Sequence, residues 1–321
     1  MPRPKLLLAS GLALGLFAGL AAAGAVEIRL VAPSAPGTGW DELAQAARLA
    51  LQRENDAPTI TVVNVPGGSG TVGLAQFAEA APEGSLLVTG LVMLEASIVN
   101  RSASQLETLT PIARMSEEHF GLAVPAKSPL ASVADLAAAL KGEPGKVAWA
   151  GGPARGIDHL AVVLFAQAAA IDPQRLNYVP FLTSQEAVGA LAEERVGAAL
   201  MPLSELDGEA KAGRVRILGV TAARRLPGQD AQALGEAGVP LVLANWRGIV
   251  AKPGLARADR DRLVELAGRV AASEPWQAAL ARRGWQPAFL AADEFQAFMS
   301  AEQARLKTGL KAAGLLKPAT P

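Results

Sequence analysis

Residues 64–73 read NVPGGSGTVG. The run follows the strand-like ITVV (60–63) and opens the helix-like TVGLAQFAEAA (71–81), so a glycine-rich turn joins a strand to a helix. Repetition of that unit makes an α/β protein. Gly68, Gly70 and Gly73 also stand at the GxGxxG spacing of a dinucleotide cradle, with Glu95 about twenty residues further on. Glu95, however, lies beyond the end of the next strand, and the motif sits on the second strand of the chain rather than the first. A phosphate-binding P-loop would need GK[ST] after the glycines, and a nucleophile elbow would need glycine where Thr71 stands. The same turn physics therefore serves an anion other than a nucleotide, with a nucleotide-binding oxidoreductase as the weaker alternative.

Outward from this turn the pattern continues. Short apolar runs recur at 28–33, 59–65, 85–93, 121–126, 146–151, 175–181, 196–202 and 215–221, separated by Ala/Leu-rich stretches of helical length. Several are too continuously apolar for half-exposed antiparallel strands and read as buried, mostly parallel ones. Helix starts are expected at Asp41, at Ser132 with Asp135 three residues on, and at Ser184. After Pro240 the texture changes to a strand-like LVLANWRGIVAK (241–252) and helices over 256–273, 275–283 and 292–313. Proline punctuation at 125–129 and 238–240 divides the chain into thirds.

The 321 residues, 50% hydrophobic and 19% charged, allow two domains with substantial cores. Arg3 and Lys5 precede an uncharged run from Leu6 to Ala23 that ends in Ala23-Gly24-Ala25, the pattern of a cleaved secretory signal over residues 1–25. The mature chain is then expected in the periplasm. With 0 Cys there are no disulfides, thiol nucleophiles or thiolate metal sites. Equal numbers of basic and acidic residues, 30 each, leave no electrostatic footprint for nucleic acid. The 2 histidines, His119 and His159, show no metal-ligand spacing, so neither metal nor cofactor is expected.

Four strand-to-helix turns are rich in small residues: 33–41, 66–71, 150–159 and 180–187. Glycine there lets main-chain N–H groups face a ligand, and each following helix adds the positive end of its dipole. Several such turns around one cleft hold an acid without a cationic pocket. Arg155, flanked by glycines, is either a carboxylate-binding guanidinium or a solvated loop residue. Asp41 reads first as a helix cap and Trp246 as a packing residue. For His159 a hydrogen bond to its own turn outweighs ligand contact.

VAPSAPGTGWDELAQAAR, NVPGGSGTVGLAQFA, TPIARM, VAWAGGPARGIDH, NYVPF and NWRGIVAKPG occur in this order. Together they resemble the substrate-binding receptors of the tripartite tricarboxylate transporters, over nearly everything after residue 25. The resemblance implies a type II periplasmic binding protein: two α/β lobes joined by two crossing strands, closing on a small di- or tricarboxylate, without catalysis, as a monomer that delivers to a membrane permease. It divides the chain into a first lobe of residues 26–122 and 246–321 and a second of 123–245. It implies ligand contacts in the first lobe at Ser34, Gly37, Thr38, Gly39, Trp40 and Asp41 and at Gly67, Gly68, Ser69, Gly70 and Thr71. In the second lobe it implies Gly152, Pro153, Ala154, Arg155 and Asp158, with Thr183 and Ser184 at a helix start. The family usually carries glycine or serine where Pro153-Ala154-Arg155 stands and a glycine-rich turn in place of 182–185, so citrate does not follow. An amino-acid or aromatic-acid receptor is the alternative within the fold; the former needs an acid such as Asp41 or Glu95 facing an ammonium group.

Overall fold

The computed structural model describes residues 27–52, 58–102 and 106–316; the expected signal segment lies outside them. Twelve strands and ten α-helices are found among these residues. In chain order the first run is β1 (Glu27–Ala32), α1 (Gly39–Leu51), β2 (Thr59–Asn64), α2 (Thr71–Ala80), β3 (Leu86–Gly90), α3 (Leu91–Asn100) and β4 (Thr110–Glu117). Then come β5 (Phe120–Pro125), α4 (Val133–Gly142), β6 (Ala148–Gly151), α5 (Ile157–Ala168), β7 (Asn177–Pro180), α6 (Ser184–Ala192), β8 (Ala198–Pro202), α7 (Leu203–Lys211), β9 (Val215–Val220) and β10 (Gln232–Ala233). The chain closes with β11 (Arg247–Ala251), α8 (Arg257–Ala272), α9 (Glu274–Arg283), β12 (Gln286–Ala291) and α10 (Ala292–Ala312).

The strands form two six-stranded sheets, ordered β12-β4-β11-β3-β1-β2 and β10-β9-β5-β8-β6-β7. In each, consecutive strand–helix units pair in parallel: β1 with β2 and β3, and β6 with β7 and β8. In each, the first strand after a crossing runs antiparallel to its neighbours, β11 in the first sheet and β5 in the second, and β12 pairs antiparallel with β4 at the edge of the first. The two crossing segments run side by side. Asn245 N–H donates to the Glu118 carbonyl at 2.7 Å, Glu118 N–H to the Asn245 carbonyl at 3.2 Å, and His119 bridges Ala244.

Two apolar runs resolve differently from the strand reading. The run 85–93 stops as a strand at Gly90, because a side chain there would place Cβ 2.6 Å from the Trp246 carbonyl oxygen. That carbonyl accepts the Leu91 N–H at 3.1 Å, and the chain turns into the buried helix α3. Of the stretch 241–252 only Arg247–Ala251 joins a sheet as strand, since the preceding residues are the return crossing. β4, β10 and β12 had no strand signal of their own.

One apolar cluster runs through both halves, from Leu87, Trp246 and Phe295 to Trp149, Phe165 and Leu200. Trp246 is sealed in it, edge-on to Phe295 and Phe298 at 5.6 and 5.5 Å, as a packing residue should be. Helix α10 bridges: it packs on β4 and on α5, where Gln167 Nε2 donates to the Gly309 carbonyl.

Glu95 on α3 is 2% exposed, and its Oε1 has no hydrogen-bond partner among the described residues. Burial pushes its carboxyl up to about 8. Folded protein therefore keeps a proton that the unfolded chain loses near 4.5, and stability falls as pH rises from about 4.5 to 8. Glu95→Gln is expected to remove this slope. Thermal unfolding should find the variant more stable than the native chain at pH 8, on the order of a few kcal/mol, and equal to it at pH 4.

Candidate functional site

The turn after β1 is built on Asp41. Its buried carboxylate accepts the Gly37 N–H at 2.8 Å, Asn64 Nδ2 at 3.0 Å and Gln45 Nε2 at 3.3 Å. Burial alone would raise its pKa, but these three donors hold it below the usual value. Asp41 is therefore not the N-cap expected from sequence. Thr38 holds that position with extended backbone, and its hydroxyl donates instead to the Ala35 carbonyl and the Ser34 hydroxyl. The first-turn N–H groups of Gly39, Trp40 and Asp41, which a helix leaves without intrahelical partners, open onto this turn.

The turn after β2 passes through four successive left-handed residues, Gly67 (φ 133°), Gly68 (φ 56°), Ser69 (φ 53°) and Gly70 (φ 89°). Glycine at 70 also answers a close approach, since a Cβ there would lie 2.8 Å from the Trp40 ring and 3.1 Å from Met93 Cε. Trp40 so joins the two turns of the first sheet. The third glycine of the GxGxxG pattern, Gly73, packs α2 onto Pro33, which is helix–strand contact rather than nucleotide recognition.

In the second sheet Asp158 repeats the device of Asp41. Its Oδ2 accepts the Gly152 N–H at 2.8 Å, while Tyr178 donates its hydroxyl to the Gly152 carbonyl at 2.8 Å. Burial pushes the Asp158 carboxyl up to about 6, against the Gly152 hydrogen bond and with the help of Glu205. His159 stacks on Tyr178 at 4.1 Å and accepts the Arg155 N–H at 3.1 Å, closing its own turn as the sequence suggested. Arg155 itself is left-handed (φ 70°) and exposed, with no ion-pair partner among the described residues. Pro153 and Ala154 are exposed beside it.

Helix α6 is capped by Thr183, not Ser184. Thr183 Oγ1 accepts the Glu186 N–H at 3.2 Å, and the Glu186 carboxylate reaches back past the cap to accept the Leu182 N–H at 3.2 Å. Ser184 is thereby released to hydrogen-bond the Glu205 carboxylate at the start of α7.

Between the two sets of turns lies a buried pair that sequence reasoning missed. Glu118, 2% exposed on the outgoing crossing, accepts the Ser204 N–H at 3.2 Å, the Ser204 hydroxyl, and Arg247 Nη2 at 3.3 Å. Arg247, 7% exposed, stacks over the Trp285 ring at 4.0 Å, and a Cβ on Gly39 would lie 3.1 Å from its guanidinium. Burial lowers the Arg247 pKa, opposed chiefly by Glu118. Its field reaches Glu42 behind the first turn and Glu205 beside Ser184. The signal was available: Arg247 adjoins Trp246 in NWRG, and a charge is rare in so apolar a segment. Asp41 and Glu95, the acids considered for an ammonium partner, are both unsuited, one spent on three donors and the other buried and neutral. Glu205 is exposed and hydrogen-bonded to Ser184. Among the described residues no three His, Asp or Glu side chains gather as a metal site.

Residues 44–315 match the family model of the tripartite tricarboxylate transporter family receptor. The chain belongs to this family. Similar solved structures include a TctC solute-binding protein from Polaromonas, at 22% identity and a TM-score of 0.79 over 90% of this chain and 99% of that one. Malate-bound MatC of Rhodopseudomonas palustris superposes at 0.70 with 21% identity, over 89% and 99% of the two chains. An adipate-bound R. palustris protein does so at 0.73 with 24% identity, over 91% and 98%. The architecture is thus that of the periplasmic binding proteins, and the chain is a solute-binding receptor of the TctC type.

Asp41→Ala in this receptor is expected to lower stability by about 1–3 kcal/mol, since it removes the shared acceptor of the Gly37 N–H and the half-buried Asn64 amide. Chemical denaturation measures the loss. An unchanged midpoint would mean that the 33–41 turn keeps its shape without the carboxylate.

Proposed function

We propose that the protein captures a small organic di- or tricarboxylate between its two halves and delivers it to the permease of a tripartite transporter. The observation that carries this reading is the convergence of two paired sets of small-residue turns on Glu118 and Arg247. Turns at the starts of α1 and α2 come from one sheet, and turns at the starts of α5 and α6 from the other. Each presents first-turn N–H groups and a helix dipole toward negative charge. The Asp41 and Asp158 carboxylates are used inward to shape the turns, leaving the outward amides for the ligand. Malate and adipate in the two R. palustris proteins fit the same class.

Binding is a population shift. The first lobe, residues 26–122 and 246–321, holds the acid on the 34–41 and 67–71 turns. The second, residues 123–245, adds Arg155 and Ser184 only on closure, with Gly152 and Asp158 spent on each other beneath the turn, so ligand favours the closed form by that difference. The reading is binding without turnover. Residues 1–25 act as a cleaved signal, placing a monomeric receptor in the periplasm.

A specific observation favours one second reading. Glu205 lies beside Ser184 and is not enclosed, so an acid carrying an ammonium group would find a counter-charge there. Calorimetric titration with citrate, succinate, malate, adipate, glutamate and benzoate separates the two. Micromolar binding of a di- or tricarboxylate is expected; selective binding of glutamate would establish the amino-acid reading, and a folded sample that answers to none of the acids would refute both. Arg155→Ala is expected to weaken the bound acid by about 1–3 kcal/mol while leaving the unfolding midpoint of the free protein in place.

A further inference from the structure

A second cavity of about 450 Å³ lies at the hinge, lined from both sheets and both crossings. Side-chain alternation along the outgoing crossing separates it from the cleft. Glu118 points to Ser204 and Arg247, whereas its neighbours Glu117 and His119 line the cavity. One wall is the loop after β9 with Arg224 and Arg225; the facing wall carries Arg114, Phe298 and Arg305.

Four arginines and two glutamates line this space, and most of the charge is matched. Arg114 pairs with Glu117 at 3.3 Å and lies over the Phe298 ring at 4.4 Å, and Arg305 grips Glu302 through two bonds of 2.8 and 2.9 Å. Arg225 meets Glu236, which lies outside the lining, in an exposed pair of the kind that contributes little. Arg224 has no partner among the described residues. The cavity therefore has a floor of satisfied ion pairs, apolar walls in Leu226, Pro227 and Val242, and unspent positive charge at the rim.

We propose that this hinge cavity is a second ligand site, for an organic monoanion with an apolar or aromatic body. The carboxylate meets Arg224 and Arg225, and the body lies along Leu226, Pro227 and Phe298. Because its walls belong to different halves of the molecule, an occupant holds them at one angle and shifts the affinity of the cleft, by a factor that acts equally in both directions. The site stands independently of the receptor reading; its effect on the cleft rests on that reading.

The test is benzoate titrated into the mature chain, followed by amide chemical shifts, with inorganic phosphate as the bare anion. Benzoate is expected to perturb residues 222–227 and His119, more tightly than phosphate, and Arg224→Ser/Arg225→Ser is expected to weaken it at least tenfold. Shifts confined to the 34–41 and 67–71 turns, or equal affinity in the double variant, would overturn the site; phosphate binding as tightly as benzoate would overturn the apolar-body class. The effect on the cleft is read separately, as a change in affinity for the acid identified by calorimetry when benzoate is saturating. An unchanged affinity would overturn the coupling while leaving the site in place, and failure of every cleft acid would sink the receptor reading alone.

Discussion

The Glu118–Arg247 pair is the constraint on which the arrangement of the cleft depends. Two charges removed from water are costly unless each is paired and its remaining donors and acceptors are used. Glu118 meets that condition by spanning the molecule, with one oxygen on the start of α7 in the second half and the other on Arg247 at the start of β11 in the first. Arg247 meets it by stacking on Trp285 and by the nearby carboxylates of Glu42 and Glu205. A guanidinium under the N-terminus of α1 would alone be repelled by the helix dipole. With Glu118 beside it, the local charge is close to neutral, and the amides of the α1 turn keep their preference for an anion.

The same balance of charge is kept within the turns themselves. Asp41 and Asp158 place carboxylates in the first turns of α1 and α5, where they would offset the dipole's preference for an anion if they faced outward. Each is instead folded beneath its own turn, taking up one N–H and fixing the loop, so the remaining amides are pre-aimed. The environments differ. Asp41 has three donors and its pKa stays low, whereas Asp158 has one and is deeply buried, so its pKa rises to about 6. The second-lobe turn thus carries less fixed negative charge only below about pH 6.

Much of the fold was legible from sequence because parallel βα units leave strong marks. Buried strands are short apolar runs, and helix starts carry caps, as Ser132 with Asp135 does in structure, where Asp135 N–H donates to Ser132 Oγ at 3.1 Å. The misreadings have common causes. At 85–93 and 241–252 the apolar run continued past the strand because the following segment is also buried, and hydrophobicity alone does not separate a buried helix or crossing from a strand. At Asp41 and Ser184 the residue types fitted a cap one turn position or more away from the real one. There, the preceding threonine held the backbone position, a choice that depends on where the turn begins to wind. β12 at the sheet edge and β4 beside it form through long-range pairing, which leaves little local pattern.

The site was legible as turns and not as chemistry. Glycine and serine at 67–70 announce a left-handed path because few other residues take it, and that reading survives in the dihedrals. The pair between the turns is made by residues far apart in the chain: Glu118 and Arg247 meet across 129 residues, and Ser204 reaches Glu118 across 86. Single-sequence reasoning sees neither separation. Yet the physical demand was visible in outline, since a lone arginine inside an apolar strand needs a buried acid, and the opposite crossing supplied one at Glu118. The same alternation that aims Glu118 at the cleft aims Glu117 and His119 away from it, so one short strand furnishes both faces of the hinge. The backbone between the two faces is pinned by the paired hydrogen bonds of Glu118 and Asn245.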